Sequence, residues 1–262
     1  MSQEAGILLT VNAEGVVLLE FCRPQRRNPL NRETIDALVE ALTRFESDEA
    51  QRVLVITGQG SVFCAGGDLD EIATMAETPS VQQRDYLFRH IQRIPRAFER
   101  IDKPVIAAVN GTAHGAGFDI ALMCDIRLAA RSALFAESYI RLGLIAGDGG
   151  TYYLTRAVGA MRSLELLWTG RVVLAEEALS LGIVGELHDD EVLRTQALAL
   201  ATRIAGQPME PVRMTKRAVR ALAQSGFDNH LDMIASHMAV LYDSLAFRER
   251  IATMQRTRAK SP

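Results

Sequence analysis

The stretch VIAAVNGTAHGAGFD, residues 105–119, joins a short run of aliphatic residues to a glycine-rich loop. The run Val105–Val109 predicts a buried strand, and a short helix is predicted to begin at Gly117. Glycines let backbone amides approach a ligand closely, and the free amides and dipole at a helix start favour negative charge. The stretch therefore predicts strand, loop and helix in succession, with a loop suited to an oxygen that carries negative charge.

A second glycine-rich loop, FCAGGDL at residues 63–69, follows a predicted strand over residues 53–57. Its adjacent glycines also expose backbone amides. Either loop alone is equally consistent with a plain tight turn, but the pair, in order and with GDGG downstream at 147–150, makes an oxyanion hole possible. Neither loop is followed by Gly-Lys-Ser/Thr or matches GxGxxG, which argues against nucleotide hydrolysis and dinucleotide binding.

Strands and helices alternate through the first two thirds of the chain. Ile7–Val11 and Val16–Phe21 flank a turn and predict a hairpin. Asn31 is a suitable cap for a helix whose apolar residues repeat with helical spacing, and a second helix is predicted over 81–100. Further strands are predicted near Ile126 and Leu134. The pattern indicates an α/β protein with largely parallel strands, whose ligands bind at the carboxyl ends of those strands.

The last third of the sequence is mostly helical. Helices are predicted over 161–169, 175–181, 192–205, 208–223 and 229–259, with one strand at 183–187. Because no linker separates this part from the rest, we expect it to form a layer on the α/β core or on a neighbouring subunit.

Composition excludes several classes of protein. The 262 residues are 48% hydrophobic and 23% charged, with a net charge of -3, so neither nucleic acid nor an anionic membrane is an expected partner. No apolar stretch approaches the roughly 20 residues needed to span a bilayer. Cys22, Cys64 and Cys124 are widely spaced among apolar neighbours, which is typical of reduced thiols in a cytoplasmic protein. No His, Cys, Asp or Glu cluster has metal-ligand spacing, so no metal is expected.

Several motifs together resemble the enoyl-CoA hydratase/isomerase (crotonase) superfamily. They are RPQRRNPLN at 23–31, FCAGGDL at 63–69, AAVNGTAHGAGFDIALMCDIRLA at 107–129 and GLIAGDGGTYYLTRAVG at 143–159. The resemblance runs over nearly the whole chain and implies a crotonase-like spiral of ββα turns with a helical C-terminal oligomerisation region. It divides the chain into an acyl-CoA-binding core at 1–200 and a helical region at 201–262. It also implies a homotrimer or homohexamer, an acyl-CoA substrate, and no cofactor beyond the coenzyme A of that substrate.

The resemblance also assigns binding residues. The oxyanion donors are the amides of Gly67 and Ala116, where Ala116 replaces the glycine common in the family but keeps the required backbone. Ala65, Asp68 and Leu69 fall along the coenzyme A adenine. Arg26, with its neighbour Arg27, falls where the pantetheine or phosphates pass, although solvated surface charge explains these arginines equally well.

The acid and base groups depart from the pattern of the family's hydratases, in which two glutamates hold the water. The first glutamate aligns with Asp119, a candidate base, or else an aspartate that stabilises the first turn of a helix. The second aligns with Tyr139, which cannot act as a base near neutral pH and which a packed aromatic role explains better. Glu137 would share the face of Tyr139 on a strand and is a weaker candidate.

Asp148 in GDGG is the other departure. It resembles an aspartate in or near this loop of the superfamily's dienoyl-CoA isomerases and cyclic β-diketone hydrolases, so it is a candidate second acid or base. A helix cap is an equal explanation. His114, inside the second loop, is either a pocket residue or a solvated histidine.

Three functions remain open from the sequence. The first is an acyl-CoA enzyme that stabilises a thioester enolate and adds water or shifts a double bond, with Gly67, Ala116, Asp119 and Asp148 as its catalytic residues. The second is a C–C bond or thioester hydrolase of the same superfamily. The third is a noncatalytic acyl-CoA-binding subunit.

Overall fold

A computed structural model of the chain describes residues 2–75 and 78–222, together with single helical positions between 236 and 249. The described strands, in chain order, are β1 (Ser2–Glu4), β2 (Ile7–Val11), β3 (Val16–Phe21), β4 (Val53–Gly58), β5 (Val62–Cys64), β6 (Val105–Val109), β7 (Thr112–His114), β8 (Ile126–Ala130), β9 (Leu134–Ala136), β10 (Val173–Leu174) and β11 (Glu186–His188). The helices are α1 (Arg32–Ser47), α2 (Leu69–Met75), α3 (Ser80–Tyr86), α4 (Arg93–Arg100), α5 (Ala116–Met123), α6 (Gly150–Val158), α7 (Ala160–Thr169), α8 (Ala175–Ser180), α9 (Asp190–Ala205) and α10 (Met209–Ala221).

The larger sheet has the strand order β1-β2-β3-β4-β6-β8-β11. Its first three strands pair antiparallel, which confirms the predicted hairpin, and the pairs from β3 to β11 are parallel. Strands β3 and β4 are buried along their whole length, as near-continuous apolar runs in a parallel sheet require.

A smaller sheet, ordered β10-β9-β7-β5, stands beside the larger one. Each of β4, β6 and β8 in the large sheet is followed directly by a strand of the small sheet, and then by a helix. The chain therefore winds through three successive ββα turns. This confirms the α/β class and the crotonase-like spiral.

Helices cover both faces of the large sheet. Helix α1 begins where the side chain of Asn31 accepts a hydrogen bond from the Thr34 amide at 3.0 Å, and it buries Ile35, Leu38 and Phe45 in the main core. The opposite face of the sheet is covered by α9, whose small residues Ala197 and Ala201 lie against it.

Two predicted elements were wrong in extent. The helix expected over 81–100 is broken into α3, a π-helical turn (Leu87–Ile91) and α4. Pro95 lies in the first turn of α4, where its missing amide is tolerated, whereas a continuous helix would need that amide to bond to the preceding turn. The strand expected over 183–187 is the shorter β11, three residues later at its start.

Short elements inside the glycine-rich loops were not predicted. Strands β5 and β7 have three residues each, too few to show a periodic pattern. Of the helix predicted over 229–259, the structure describes only single positions between 236 and 249, which are helical; the rest lies outside the described residues. The division at residue 200, which falls within α9, stays a prediction. Within the described part of the chain, no helix has the length and apolar character needed to span a membrane.

Candidate active site

The first glycine-rich loop leaves one amide without an acceptor. Leu30 pairs with the loop, because the Leu30 amide donates to Gly66 O at 2.8 Å and the Asp68 amide donates to Leu30 O at 2.9 Å. The amide of Gly67, between them, has no acceptor among the described residues. A donor left unpaired at a loop that follows a buried strand is suited to a bound oxygen.

The second loop supplies another such amide. Gly115 has a φ of +50° and donates its amide to Ala136 O at 2.8 Å, after which Ala116 begins α5. The first amides of a helix have no acceptor within it, and none is found for Ala116 in the described chain.

The two loops are in direct contact. A Cβ on Gly66, whose φ is +95°, would lie 2.7 Å from His114 O and 3.5 Å from the Ala116 nitrogen. A Cβ on Gly117 would lie 2.2 Å from Cys64 O. Side chains at these two positions would separate the loops, so the glycines bring the Gly67 and Ala116 amides to one place.

Four acidic side chains gather next to these amides. Asp119 lies in the first turn of α5 and is completely buried. The Tyr139 hydroxyl oxygen lies 2.6 Å from Asp119 Oδ2 and 2.5 Å from Asp148 Oδ1, and the Tyr139 ring lies 3.6 Å from the position of a Cβ on Gly115. Glu137 is the fourth member, and its side chain and that of Asp148 are almost fully buried.

Burial of these groups changes their titration. Burial, and then the charges of Asp148 and Glu137, raise the pKa of Asp119 well above its usual value. Burial raises the pKa of Glu137 to about 8, against a hydrogen bond with Asp119 that lowers it. Burial and the two aspartates raise the pKa of the Tyr139 hydroxyl. The cluster therefore retains protons at pH values where ordinary carboxyls have lost them.

The comparisons with known proteins agree with this geometry. The sequence model described as enoyl-CoA hydratase/isomerase matches residues 12–253. The chain belongs to this family. It is 36% identical to the 1,2-epoxyphenylacetyl-CoA isomerase of Escherichia coli K12 over 239 residues, 91% of each protein. It is 34% identical to the crotonyl-CoA hydratase of Syntrophomonas wolfei over 230 residues, 87% of each protein. The crystal structure of an enoyl-CoA hydratase of Mycobacterium smegmatis superposes with a TM-score of 0.89 at 31% identity, covering 96% of each chain.

In this enoyl-CoA hydratase/isomerase family member, the sequence left two roles open for Asp148, a second acid or base and a helix cap. The structure excludes the cap. The N-cap of α6 is Gly149 and has no side-chain cap, so the capping role is wrong. The Asp148 carboxylate instead contacts Tyr139, and its Oδ2 has no hydrogen-bond partner in the described chain. Asp148 therefore belongs to the acid cluster.

The sequence suggested that Glu137 and Tyr139 share one face of a strand. In the structure they do not. Glu137 follows β9, and Tyr139 lies in a 3-10 helix (Ser138–Leu142). They reach the same cluster because the tight turn brings the Tyr139 hydroxyl back toward α5. No pattern in the sequence indicated this turn, because its five residues have no apolar period.

His114 lies outside the acid cluster. Burial, and then the charges of Arg141 and Arg27, lower its pKa. Its Nε2 is buried without a partner among the described residues. His114 is therefore half-buried, with its Nε2 excluded from solvent.

The residues assigned to coenzyme A form a second group, on the loop before α2. Arg26 lies in a 3-10 turn (Pro24–Arg26), with its guanidinium 3.5 Å from Asp68 and 2.5 Å from Asp70. Leu69 is 67% exposed, and the Ala65 amide donates to Arg27 O at 3.1 Å. The structure thus brings Arg26, Ala65, Asp68 and Leu69 together, close to Gly67 in sequence. Across the described residues, no group of three or more side chains is arranged to hold a metal ion.

Proposed function

We propose that this protein shifts a double bond in an unsaturated acyl-CoA by way of a thioester enolate. The observation that carries the proposal is the Tyr139 hydroxyl, which lies between Asp119 and Asp148 at 2.6 and 2.5 Å. A double-bond shift removes a proton from one carbon and delivers a proton to another, so it requires an acid and a base close together. The two aspartates supply such a pair.

The amides of Gly67 and Ala116 would hold the thioester oxygen. Both lack an acceptor within the described chain, and the Ala116 amide also lies at the positive end of the α5 dipole. Donors placed where negative charge develops lower the barrier to enolate formation.

Hydration is the weaker candidate, although one relative is named as a crotonyl-CoA hydratase. Addition of water requires a position between two carboxylates in which a water molecule is activated. In this chain a side-chain hydroxyl fills the position between Asp119 and Asp148. With the phenol between them, the two carboxyls can still act as an acid and a base. They cannot hold a water molecule in the position that the phenol occupies.

Coenzyme A would enter as part of the substrate, and no other cofactor is proposed. The Arg26 guanidinium is 54% exposed, so its cationic group is accessible to a phosphate beside the loop. Ala65, Asp68 and Leu69 would contact the adenine. The two buried thiols, Cys64 and Cys124, fit a cytoplasmic location.

We also infer that copies of this chain associate as a trimer or a pair of trimers. Large apolar side chains are exposed on α7 and on the segment after β9, and these two parts are in contact. They include Ile145, Met161 and Trp168, which are 82%, 80% and 70% exposed. Exposed apolar side chains that include a tryptophan are typical of a protein interface. Light scattering of the Trp168→Arg variant should show a smaller particle than wild type.

The function is tested with the purified protein and two substrates. We expect 3-enoyl-CoA to be converted to 2-enoyl-CoA and crotonyl-CoA to be hydrated more slowly. Asp119→Asn should lower kcat by roughly 10²- to 10⁴-fold, whereas Asp85→Asn, on the exposed side of α3, should not change it. Faster hydration of crotonyl-CoA would overturn the proposal. Release of free thiol would indicate a hydrolase, and binding without turnover would indicate a noncatalytic subunit.

A further inference from the structure

The contacts of Tyr139 set a minimum number of protons in the acid cluster. A neutral phenol has one proton and can donate it to only one of the two aspartates. The other aspartate oxygen lies equally close, at a distance that requires a proton between the two oxygens. One of the aspartates must therefore be a carboxylic acid that donates to the Tyr139 oxygen, while the other accepts the hydroxyl proton.

The surroundings indicate which aspartate holds this proton. Asp119 has Tyr139 on its Oδ2 side and Glu137 on its Oδ1 side, since a Cβ on Gly150 would lie 2.2 Å from Asp119 Oδ1 and 2.9 Å from Glu137 Oε1. Asp119 is therefore the middle of three carboxyls and is completely buried. A proton on Asp119 removes the unsolvated charge from the middle of the three carboxyls, whereas a proton on Asp148 would leave that charge there.

We propose that Asp119 is the resting acid, Asp148 is the resting base, and the Tyr139 hydroxyl returns the proton between them after each turnover. The assignment rests on the proposed double-bond shift for its chemistry. It reverses the roles suggested by sequence alone, in which Asp119 was the candidate base.

The cycle balances without any other reactant. Asp148 takes a proton from a substrate carbon, and the electron pair of the broken C–H bond passes into the enolate at the thioester oxygen. Asp119 then gives its proton to the other end of the enolate, which uses that electron pair to form the new C–H bond. Asp148 is now protonated and Asp119 ionised. As Asp148 passes a proton to the Tyr139 oxygen, the hydroxyl proton moves to Asp119, and the resting state is restored.

Tyr139→Phe separates this relay from a purely structural role. The variant keeps the ring and loses the hydroxyl, so the first turnover should proceed at close to the wild-type rate while steady-state kcat falls by tenfold or more. Rapid-quench measurements should therefore show a burst of one product per site, and KM should fall together with kcat, because kcat/KM depends only on the steps before the slow return of the proton. Tyr153→Phe is the matched control, because that hydroxyl contacts Glu99 away from the cluster and its loss should produce no burst. Equal slowing of the first and later turnovers would overturn the relay.

A measurement without substrate tests the proton count even if the proposed function fails. Infrared spectra of the intact protein at neutral pH should show the carbonyl stretch of a buried carboxylic acid. Glu137, whose pKa is raised to about 8, is a second buried acid at this pH, so two bands are expected and Glu137→Gln should remove one of them. Asp119→Asn should remove the other, Tyr139→Phe should shift that band, and Tyr153→Phe should leave both unchanged. Absence of buried-acid bands in wild type, or the survival of both in Asp119→Asn, would overturn the assignment of the proton to Asp119. If the bands behave as expected and no acyl-CoA reacts, the proposed function alone is wrong.

Discussion

Gly150 leaves open the space that the Asp119 carboxylate occupies, since a Cβ at Gly150 would lie 2.2 Å from Asp119 Oδ1. The position is the first residue of α6 and has no unusual backbone angle. We expect Gly150→Ala to push the carboxylate away from Tyr139, because the side chain is completely buried and must move to avoid the methyl group. Activity should fall tenfold or more, and overpacking should lower stability by about 1–3 kcal/mol.

Steady-state assays and urea unfolding check this expectation against Gly185→Ala. A Cβ on Gly185 would meet only Arg127 O, at an ordinary 3.7 Å, so that variant should keep wild-type activity. Wild-type activity in Gly150→Ala would mean that the spacing of Asp119 and Glu137 does not matter to the reaction.

The Ala116 amide can be removed without changing the rest of the helix start. Proline is tolerated at the first position of a helix, and Ala116→Pro deletes only the N–H group there. If this amide binds the thioester oxygen, kcat should fall by roughly 10²- to 10³-fold. Ala116→Gly keeps the amide and should retain most of the activity, provided that circular dichroism shows both variants folded. Similar activity in the two variants would exclude the amide as an oxyanion donor.

Glu137 should make the protein less stable at high pH. Its pKa is raised to about 8 in the folded chain, so the folded state binds more protons than the unfolded state between about pH 4.3 and 8. Stability is therefore highest below that range and declines as pH rises through 8. Glu137→Gln should match wild type at pH 5 and exceed it at pH 9 by a few kcal/mol, at about 1.4 kcal/mol for each pKa unit.

Urea unfolding at both pH values measures the difference. The charge of Glu137 helps to raise the pKa of Asp119, so Glu137→Gln also lowers the pKa of Asp119, and the difference between the two proteins reports both changes. Glu210→Gln, on the exposed first turn of α10, should show no pH-dependent difference from wild type. An equal pH dependence in wild type and Glu137→Gln would show that Glu137 is not the group responsible.

The sequence located the amide donors more readily than the acid cluster. The two loops could be placed because glycine-rich loops after buried strands are visible as local patterns, and the family resemblance then assigned Gly67 and Ala116 within them. Asp119 and Asp148 could be named as candidates, but their meeting depends on Tyr139, whose orientation is set by a 3-10 turn without a periodic signal. Glu137 joins the cluster through tertiary packing around Gly150, which no spacing in the sequence reveals.

The prediction of one continuous helix over 81–100 was wrong for a related reason. Long apolar patterns such as those of β3, β4 and α1 gave the correct elements, since their burial is continuous. The segment around Leu87–Ile91 has helical spacing, but its backbone forms a π-helical turn before Pro95. Leu87 packs against Gly147, and the Gln92 side chain donates to Gly147 O at 3.0 Å. The π-helical turn is therefore in contact with the loop that carries Asp148.

Arg26 offers a test of substrate binding that is separate from the chemistry. Its guanidinium lies beside Asp68 and Asp70, so Arg26→Ala removes a cation and also leaves those carboxylates to repel a phosphate. If coenzyme A binds here, KM for acyl-CoA should rise roughly tenfold, in line with the ~1.5–3 kcal/mol of a charged hydrogen bond, while kcat stays near wild type. The same acyl group on N-acetylcysteamine, which carries no phosphates, should show no change in KM. Arg203→Ala, on α9, should affect neither substrate, and an unchanged KM for acyl-CoA in Arg26→Ala would place the phosphates elsewhere.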